Sequence, residues 1–348
     1  MSHLTYGEAG IIGLIQGVTE LFPVSSLGHA ILIPALVGGR WATDLSVSGS
    51  KSAYLAFIVG LHVATAIAMI IFFWRDWIRI IVAFFASVRH VAAPEPGTRR
   101  WEPQNTDQKL AWLLILGTIP VGIAGALLQH AFTDVFSKPK LVAIVLFVNG
   151  LILLGGERIR RRGAQAEAAQ IAADQVAAER QRATVGAGGR GPVGGGRHSS
   201  GQRAAKQEQA SMALEADRRL VGVGYLGGLL LGASQILALL PGISRDGIVM
   251  VSAMFRGLTR QDAARFSFLL SAPVIFAAGV FKLHDLTGPL GAGIREQVLF
   301  GSVLAGIGAY LALRFLVRYL SSASRTLTPF AIYCLAAGLG SAIYLFAK

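Results

Sequence analysis

Gln16 and Glu20 stand four residues apart in the stretch Gln16-Gly17-Val18-Thr19-Glu20-Leu21-Phe22-Pro23-Val24-Ser25-Ser26-Leu27-Gly28-His29. On a helix that spacing sets an amide and a carboxylate on one face, and hard oxygen donors of this kind suit Mg2+ or Ca2+. Ser26 is a candidate nucleophile, and His29 is a candidate acid or base near neutral pH. A second polar stretch, Leu240-Pro241-Gly242-Ile243-Ser244-Arg245-Asp246-Gly247, contributes Arg245, whose planar fork matches phosphate oxygens. Pro23 ends one helix and Ser25 or Ser26 can cap the next. The second stretch breaks at Pro241-Gly242 and can restart at Ser244. Two helix N-termini would then offer N–H groups and positive dipole ends to an anion. Taken together, these groups fit a phosphorylated ligand.

The elements that must position them are apolar. The chain is 53% hydrophobic and only 15% charged, the profile of a multi-span membrane protein. A carboxylate, an imidazole and a guanidinium therefore sit where ionisable groups are costly, which marks a functional centre inside the bilayer. Runs long enough to cross the hydrocarbon core, about 20 residues, occur near Ser52–Trp74, Leu110–Gln129, Leu141–Gly156, Arg265–Leu283, Gln297–Val317 and Pro329–Phe346. Segments 9–38 and 220–257 hold the two motifs and are split by proline and glycine. They read as re-entrant helical hairpins, tolerated where irregular backbone is buried in protein.

The fold expected is an all-α integral membrane protein of six full spans and two re-entrant hairpins. Each half reads as a hairpin followed by three spans, so it makes an odd number of crossings and the second half must be inverted relative to the first. Inverted repeats with broken helices place their site at the repeat interface. The first repeat covers 1–156 and the second 219–348. Between them, 157–218 is rich in Ala, Gln, Glu, Arg and Gly, with too little apolar surface to offset ordering entropy. It is expected to be a solvated, disordered insertion with some nascent helix.

The net charge of +13 comes with no aromatic-interleaved basic surface, so a nucleic-acid partner is not expected. Topology explains it instead. Segments 75–109, 157–219, 256–265 and 314–325 carry 24 Lys and Arg against seven on the opposite side, which makes the first side cytoplasmic and puts both termini outside. The N-terminus lacks the basic leader of a secretory signal and is read as part of the mature fold. Cys334 is the single cysteine, so no intrachain disulfide can form, and packing is its expected role. Glycines 222, 224, 227, 228 and 232 are read as close-packing positions rather than a nucleotide loop, since no strand precedes them. His62, inside the first full span, could face the polar centre or bond a backbone carbonyl, and the second is the preferred reading.

The pattern E/Q-x-x-x-E-x-x-P-x-S-S-x-G-H, running from Gln16 to His29, and Pro241-Gly242-Ile243-Ser244-Arg245 followed by Phe266-Ser267-Phe268-Leu269-Leu270 resemble the undecaprenyl-diphosphate phosphatase (bacitracin-resistance) family. The similarity spans essentially the whole chain outside 157–218. It implies a bacterial inner-membrane enzyme that removes the terminal phosphate of the polyprenyl diphosphate carrier for reuse in cell-wall synthesis, conferring bacitracin resistance with a divalent cation, Mg2+ or Ca2+. By position it assigns metal and catalytic roles to Gln16 and Glu20, and phosphate or nucleophilic work to Ser25 and Ser26. It assigns acid/base work to His29 and phosphate binding to Ser244 and Arg245, with Gly242 beside them. The partners implied are the polyprenyl diphosphate lipid and the bilayer, with a homo-oligomer left open.

The chain departs from the family pattern at four places. Gln16 stands where Glu is usual, Leu27 where Thr is common, and Asp246 and Val249 where Ser and Thr are usual. Asp246 is therefore a candidate cation ligand that compensates for Gln16. The competing reading is a polyprenyl-phosphate transporter or flippase of the same fold that does not hydrolyse its ligand.

Overall fold

The computed structural model describes residues 4–45, 53–92, 103–136, 138–185, 215–288, 293–322 and 324–348. Helices are the only regular structure among them. They are α1 (Tyr6–Leu21), α2 (Ser26–Val37), α3 (Gly39–Asp44), α4 (Ala53–Phe72), α5 (Trp74–Ala92), α6 (Thr106–Phe136) and α7 (Pro139–Val185). Then come α8 (Glu215–Gly222), α9 (Gly224–Ser234) with a 3-10 turn at Gln235–Leu239, α10 (Arg245–Phe255), α11 (Arg260–Thr287), α12 (Arg295–Leu320) and α13 (Thr328–Ala347).

Six helices are long and apolar enough to cross a membrane: Ala53–Phe72, Thr106–Leu128, Pro139–Gln165, Arg260–Val280, Arg295–Leu320 and Thr328–Ala347. These are the six spans expected from hydropathy. The motif segments form the broken pairs α1/α2 and α9/α10. Thr5 and Glu8 close a capping box that starts α1, and Phe22 ends it in extended geometry just before Pro23. Ser25 then starts α2 by accepting the Gly28 N–H, and Ser244 starts α10 by accepting the Gly247 N–H.

The packing pairs elements across the two halves. α1 lies on α12 and α9 on α6; α4 contacts α11 and α12; α7 runs against α13 and also touches α2 and α10. A Cβ on Gly17 would fall 2.3 Å from the Ala305 carbonyl oxygen, and one on Gly232 would fall 2.0 Å from that of Gly117. Only glycine admits backbones this close. Gly228 packs on Leu113 in the same interface, whereas Gly222 and Gly224 have open space around them. The expected packing role fails at that pair: Gly224 has φ +73° and sits at an 80° bend between α8 and α9, a conformation glycine adopts without a Cβ penalty.

Two stretches differ from the sequence reading. Residues 75–92, placed on the Lys/Arg-rich side and given no element of their own, belong to the amphipathic helix α5, with Ile78, Ile81, Val82 and Phe85 exposed along one stripe. The long helix α7 does not stop at 156. It continues through Glu157 to Val185, 47 residues in all, because Ala, Gln, Glu and Arg are strong helix formers even where they bury little. The proposed boundaries at 156/157 and 218/219 thus fall inside α7 and α8, and 186–214 lie outside the described residues.

Ion pairs lace segments that the Lys/Arg bias assigns to a single side. Arg79 bonds Asp217 at 2.6 Å and Asp76 at 3.1 Å, while Arg265 bonds Asp217 at 2.7 Å and Asp76 at 2.6 Å. Arg219 pairs with Asp262 at 2.6 Å. Buried Glu157 takes Arg161 at 3.0 Å, Arg260, and the backbone N–H of Leu327 at 3.3 Å. These bonds join α5, α8 and α11 in one network and α7, α11 and the start of α13 in another.

Candidate active site

The two breaks touch. Ser25 adopts φ 68°, a left-handed conformation costly for a residue with a side chain. In that conformation its Oγ accepts the N–H of Gly242 at 3.1 Å as well as that of Gly28 at 3.3 Å. Gly242 is itself at φ +110°, and a Cβ there would meet the Leu146 nitrogen at 2.8 Å and the Val142 oxygen at 2.9 Å. From α7, Asn149 reaches both breaks. Its amide donates to the Pro23 carbonyl at 3.1 Å and its Oδ1 accepts the Ser244 N–H at 3.0 Å.

This junction brings the first residues of α2 and α10, Ser26 and Arg245, to one carboxylate. Glu20 is 6% exposed. Its Oε1 accepts from Arg245 Nη2, and its Oε2 accepts the Ser26 hydroxyl and the Gln16 amide at 2.9 Å. His62 Nε2 stands 3.3 Å from the same Oε2. Arg245 is braced by Nε donating to Ser271 Oγ at 3.1 Å. With its side chain 18% exposed, Arg245 is among the least buried members of the group.

The other candidates are placed differently. Ser25 and Ser244 use their oxygens as helix caps, and the Gly242 N–H is committed to Ser25. His29 directs Nδ1 to the Ser25 carbonyl at 2.7 Å and Nε2 to the Tyr333 hydroxyl at 2.7 Å, with its ring stacked on Tyr333 at 5.6 Å. It is not bonded to Ser26 or Glu20. Asp246 is 1% exposed. Its Oδ1 accepts Ser267 at 2.8 Å and Ser271 at 2.6 Å, and its Oδ2 is buried without a partner.

Cation chemistry can be tested on these atoms. Among the described residues no three His, Cys, Asp or Glu side chains gather as a metal site. Gln16 Oε1, however, is buried and unpartnered beside the Glu20 carboxylate. An orphaned amide oxygen next to a carboxylate fits a hard cation that takes its remaining ligands from substrate phosphate, as Mg2+ commonly does.

The arrangement is a hydroxyl aimed at a carboxylate, with a guanidinium on the other oxygen, at the meeting point of two helix starts. It suits transfer of a phosphoryl group. A family model described as "Bacitracin resistance protein BacA" matches residues 9–184 and 202–340. The chain belongs to this family. A relative from Mycolicibacterium paratuberculosis, named undecaprenyl-diphosphatase, is 51% identical over 99% of this chain and 98% of its own length. One from Frankia alni, undecaprenyl-diphosphatase 2, is 48% identical with 97% of each chain covered. A Burkholderia ambifaria protein of that same name is 36% identical over 94% of this chain and 92% of its own.

Several BacA-site residues lie outside the roles read from the motifs. Ser267 and Ser271 are spaced i, i+4 on α11, so a shared polar face in an apolar span was the available signal. Asn149 is a lone amide in the apolar part of α7, and its partners are 126 and 95 residues away. Tyr333 carried no signal, because an aromatic residue in a membrane span is ordinary.

Proposed function

We propose that this BacA-family chain is a membrane phosphatase that converts undecaprenyl or a similar polyprenyl diphosphate to the monophosphate and inorganic phosphate. The observation that carries the reading is the Ser26–Glu20–Arg245 contact. In this mechanism Glu20 takes the Ser26 proton as Oγ attacks the terminal phosphorus. The bond from that phosphorus to the bridging oxygen breaks, and polyprenyl monophosphate leaves. Arg245 neutralises charge on the transferring group, the kind of preorganised donor that dominates such catalysis. The proton on Glu20 passes to the departing monophosphate; the freed carboxylate then takes a proton from water as it attacks the phosphoserine, and returns that proton to Ser26 Oγ as phosphate is released.

Glu20 and Gln16 would hold a divalent cation, Mg2+ or Ca2+, which supplies neutralisation of the diphosphate when bound. The direct part of Asp246 in this mechanism is to orient Ser271 and, through it, Arg245. Its buried Oδ2 is the atom through which it would join a cation site. His29, bonded to Tyr333, shapes the α2–α13 wall of the site.

The setting proposed is the bacterial inner membrane, with both termini outside and the ion-paired ends of α5, α8 and α11 cytoplasmic. The two halves are read as inverted repeats, supported by the exchange of partners: α1 on α12 mirrors α9 on α6, and α10 on α7 mirrors α2 on α13. Recycling of the lipid carrier for cell-wall synthesis, and bacitracin resistance with it, follow from this activity. The test is phosphate release by the purified full chain from undecaprenyl diphosphate with Mg2+. Stoichiometric monophosphate and phosphate are expected; binding of the lipid without phosphate release would instead support a carrier.

A further inference from the structure

His62 is the one imidazole in α4, a helix whose other ionisable side chain is Tyr54. Tyr54 is accounted for by its bond to the Ala30 carbonyl at 2.8 Å. An ionisable group at this depth is expensive unless it has partners. His62 has two, and both are acceptors. Nδ1 lies 2.8 Å from the Ile58 carbonyl, so Nδ1 carries a hydrogen. Nε2 lies 3.3 Å from Glu20 Oε2, a direct polar contact between this span and the carboxylate.

The same Oε2 receives the Ser26 hydroxyl and the Gln16 amide. Gln16 and Ser26 belong to α1 and α2, on either side of the Pro23 break, whereas His62 comes from a full span packed on α1, α11 and α12. His62 is thus the contact that ties the orientation of the carboxylate to the frame of spanning helices. Its Nδ1 bond, made one turn back on its own helix, fixes the ring plane, much as an outer partner fixes a ligating imidazole.

We propose that His62 is a positioning residue of the reaction, holding the Glu20 carboxylate in line with the Ser26 hydroxyl. This rests on the phosphatase reading above. A group that acts through orientation changes turnover rather than ground-state binding, because a small misplacement of the reacting atoms is felt mainly in the transition state. It also loses its effect once the group that it orients is altered.

The test uses the full-length protein in detergent with a polyprenyl diphosphate and saturating Mg2+. His62→Leu should lower kcat by about 10-fold or more with KM changed by less than about twofold. His62→Gln, which keeps a donor, should recover most of that loss. Adding His62→Leu to Glu20→Gln should cost less than about twofold further. Unchanged kcat in His62→Leu, or an equal loss in both backgrounds, overturns the proposal. Should His62→Leu fail to yield monodisperse protein, His62→Ala takes its place in the same comparisons. A second readout needs no turnover: the ring 15N signals of His62, identified by their loss in His62→Gln, should shift when Glu20 is changed to Gln. Unmoved signals would also overturn the contact. An inactive unmodified protein whose signals do shift would sink the phosphatase reading while leaving the His62–Glu20 contact standing.

Discussion

The Glu20 carboxylate accepts the guanidinium of Arg245, a residue 225 positions later in the chain, so this contact exists only when both halves have folded together. Arg245 serves two partners at once, with Nη2 on Glu20 and Nε on Ser271. Arg245→Lys keeps the charge but has one nitrogen for both tasks. Turnover should fall by about 10²-fold, with protein yield and thermal midpoint near those of the unmodified chain. Steady-state phosphate release together with a thermal shift assay checks this, and near-normal kcat would remove Arg245 from the chemistry.

Adjacent serines should behave in opposite ways. Ser26 gives its hydroxyl to Glu20, so Ser26→Ala should abolish turnover, by on the order of 10³-fold or more, and leave the melting temperature almost unchanged. Ser25 accepts two backbone N–H groups, so Ser25→Ala should destabilise by about 2 kcal/mol. Part of the activity per folded molecule should remain. Equal kinetic losses without any stability difference would contradict the division of labour.

Cation dependence follows from the orphaned Gln16 oxygen beside Glu20. Chelator treatment should stop phosphate release and Mg2+ should restore it. Gln16→Glu should lower the Mg2+ concentration needed for half-maximal rate. If Asp246 shares the cation, Asp246→Ser should raise that concentration and Gln16→Glu should rescue it. Strictly additive effects would confine Asp246 to its bonds with Ser267 and Ser271. Full activity in chelator would exclude the cation altogether.

Gly242→Ala meets two obstacles, φ +110° and backbone atoms of α7 within 3 Å of the new Cβ. Folded, extractable protein should be lost, because neither obstacle can yield by a side-chain rotation. Gly222→Ala, with nothing within 4 Å, is the control and should be tolerated. Size-exclusion profiles of the two variants give the answer.

What sequence conveyed here followed the reach of each signal. The i, i+4 placement of Gln16 and Glu20, the serine caps after each break and the six apolar runs are local patterns, and the structure has them. Helix α5 was missed because Arg75, Asp76 and Arg79 dilute its hydropathy while its apolar residues form only a stripe. The extension of α7 was missed because composition speaks to burial, whereas helix propensity acts without it. Asn149 is an isolated amide in an apolar span, and the meaning of Asn149, of Ser271 and of the Glu20 contact of His62 comes from partners on other helices, which only the assembled fold supplies.

The joint at the breaks bears on how the molecule can move. A carrier built from two opposed halves works by letting one rock against the other, opening the centre to each side of the bilayer in turn. Here the Ser25 hydroxyl is bonded to the backbone of the opposite half, and the single amide of Asn149 serves both breaks. A rocking stroke that parted Ser25 from Gly242 would leave buried N–H groups without acceptors at depths where no water can replace them. The two halves are thus hydrogen-bonded to each other at the point where a carrier would need a hinge, and a stroke of that kind would have to break those bonds.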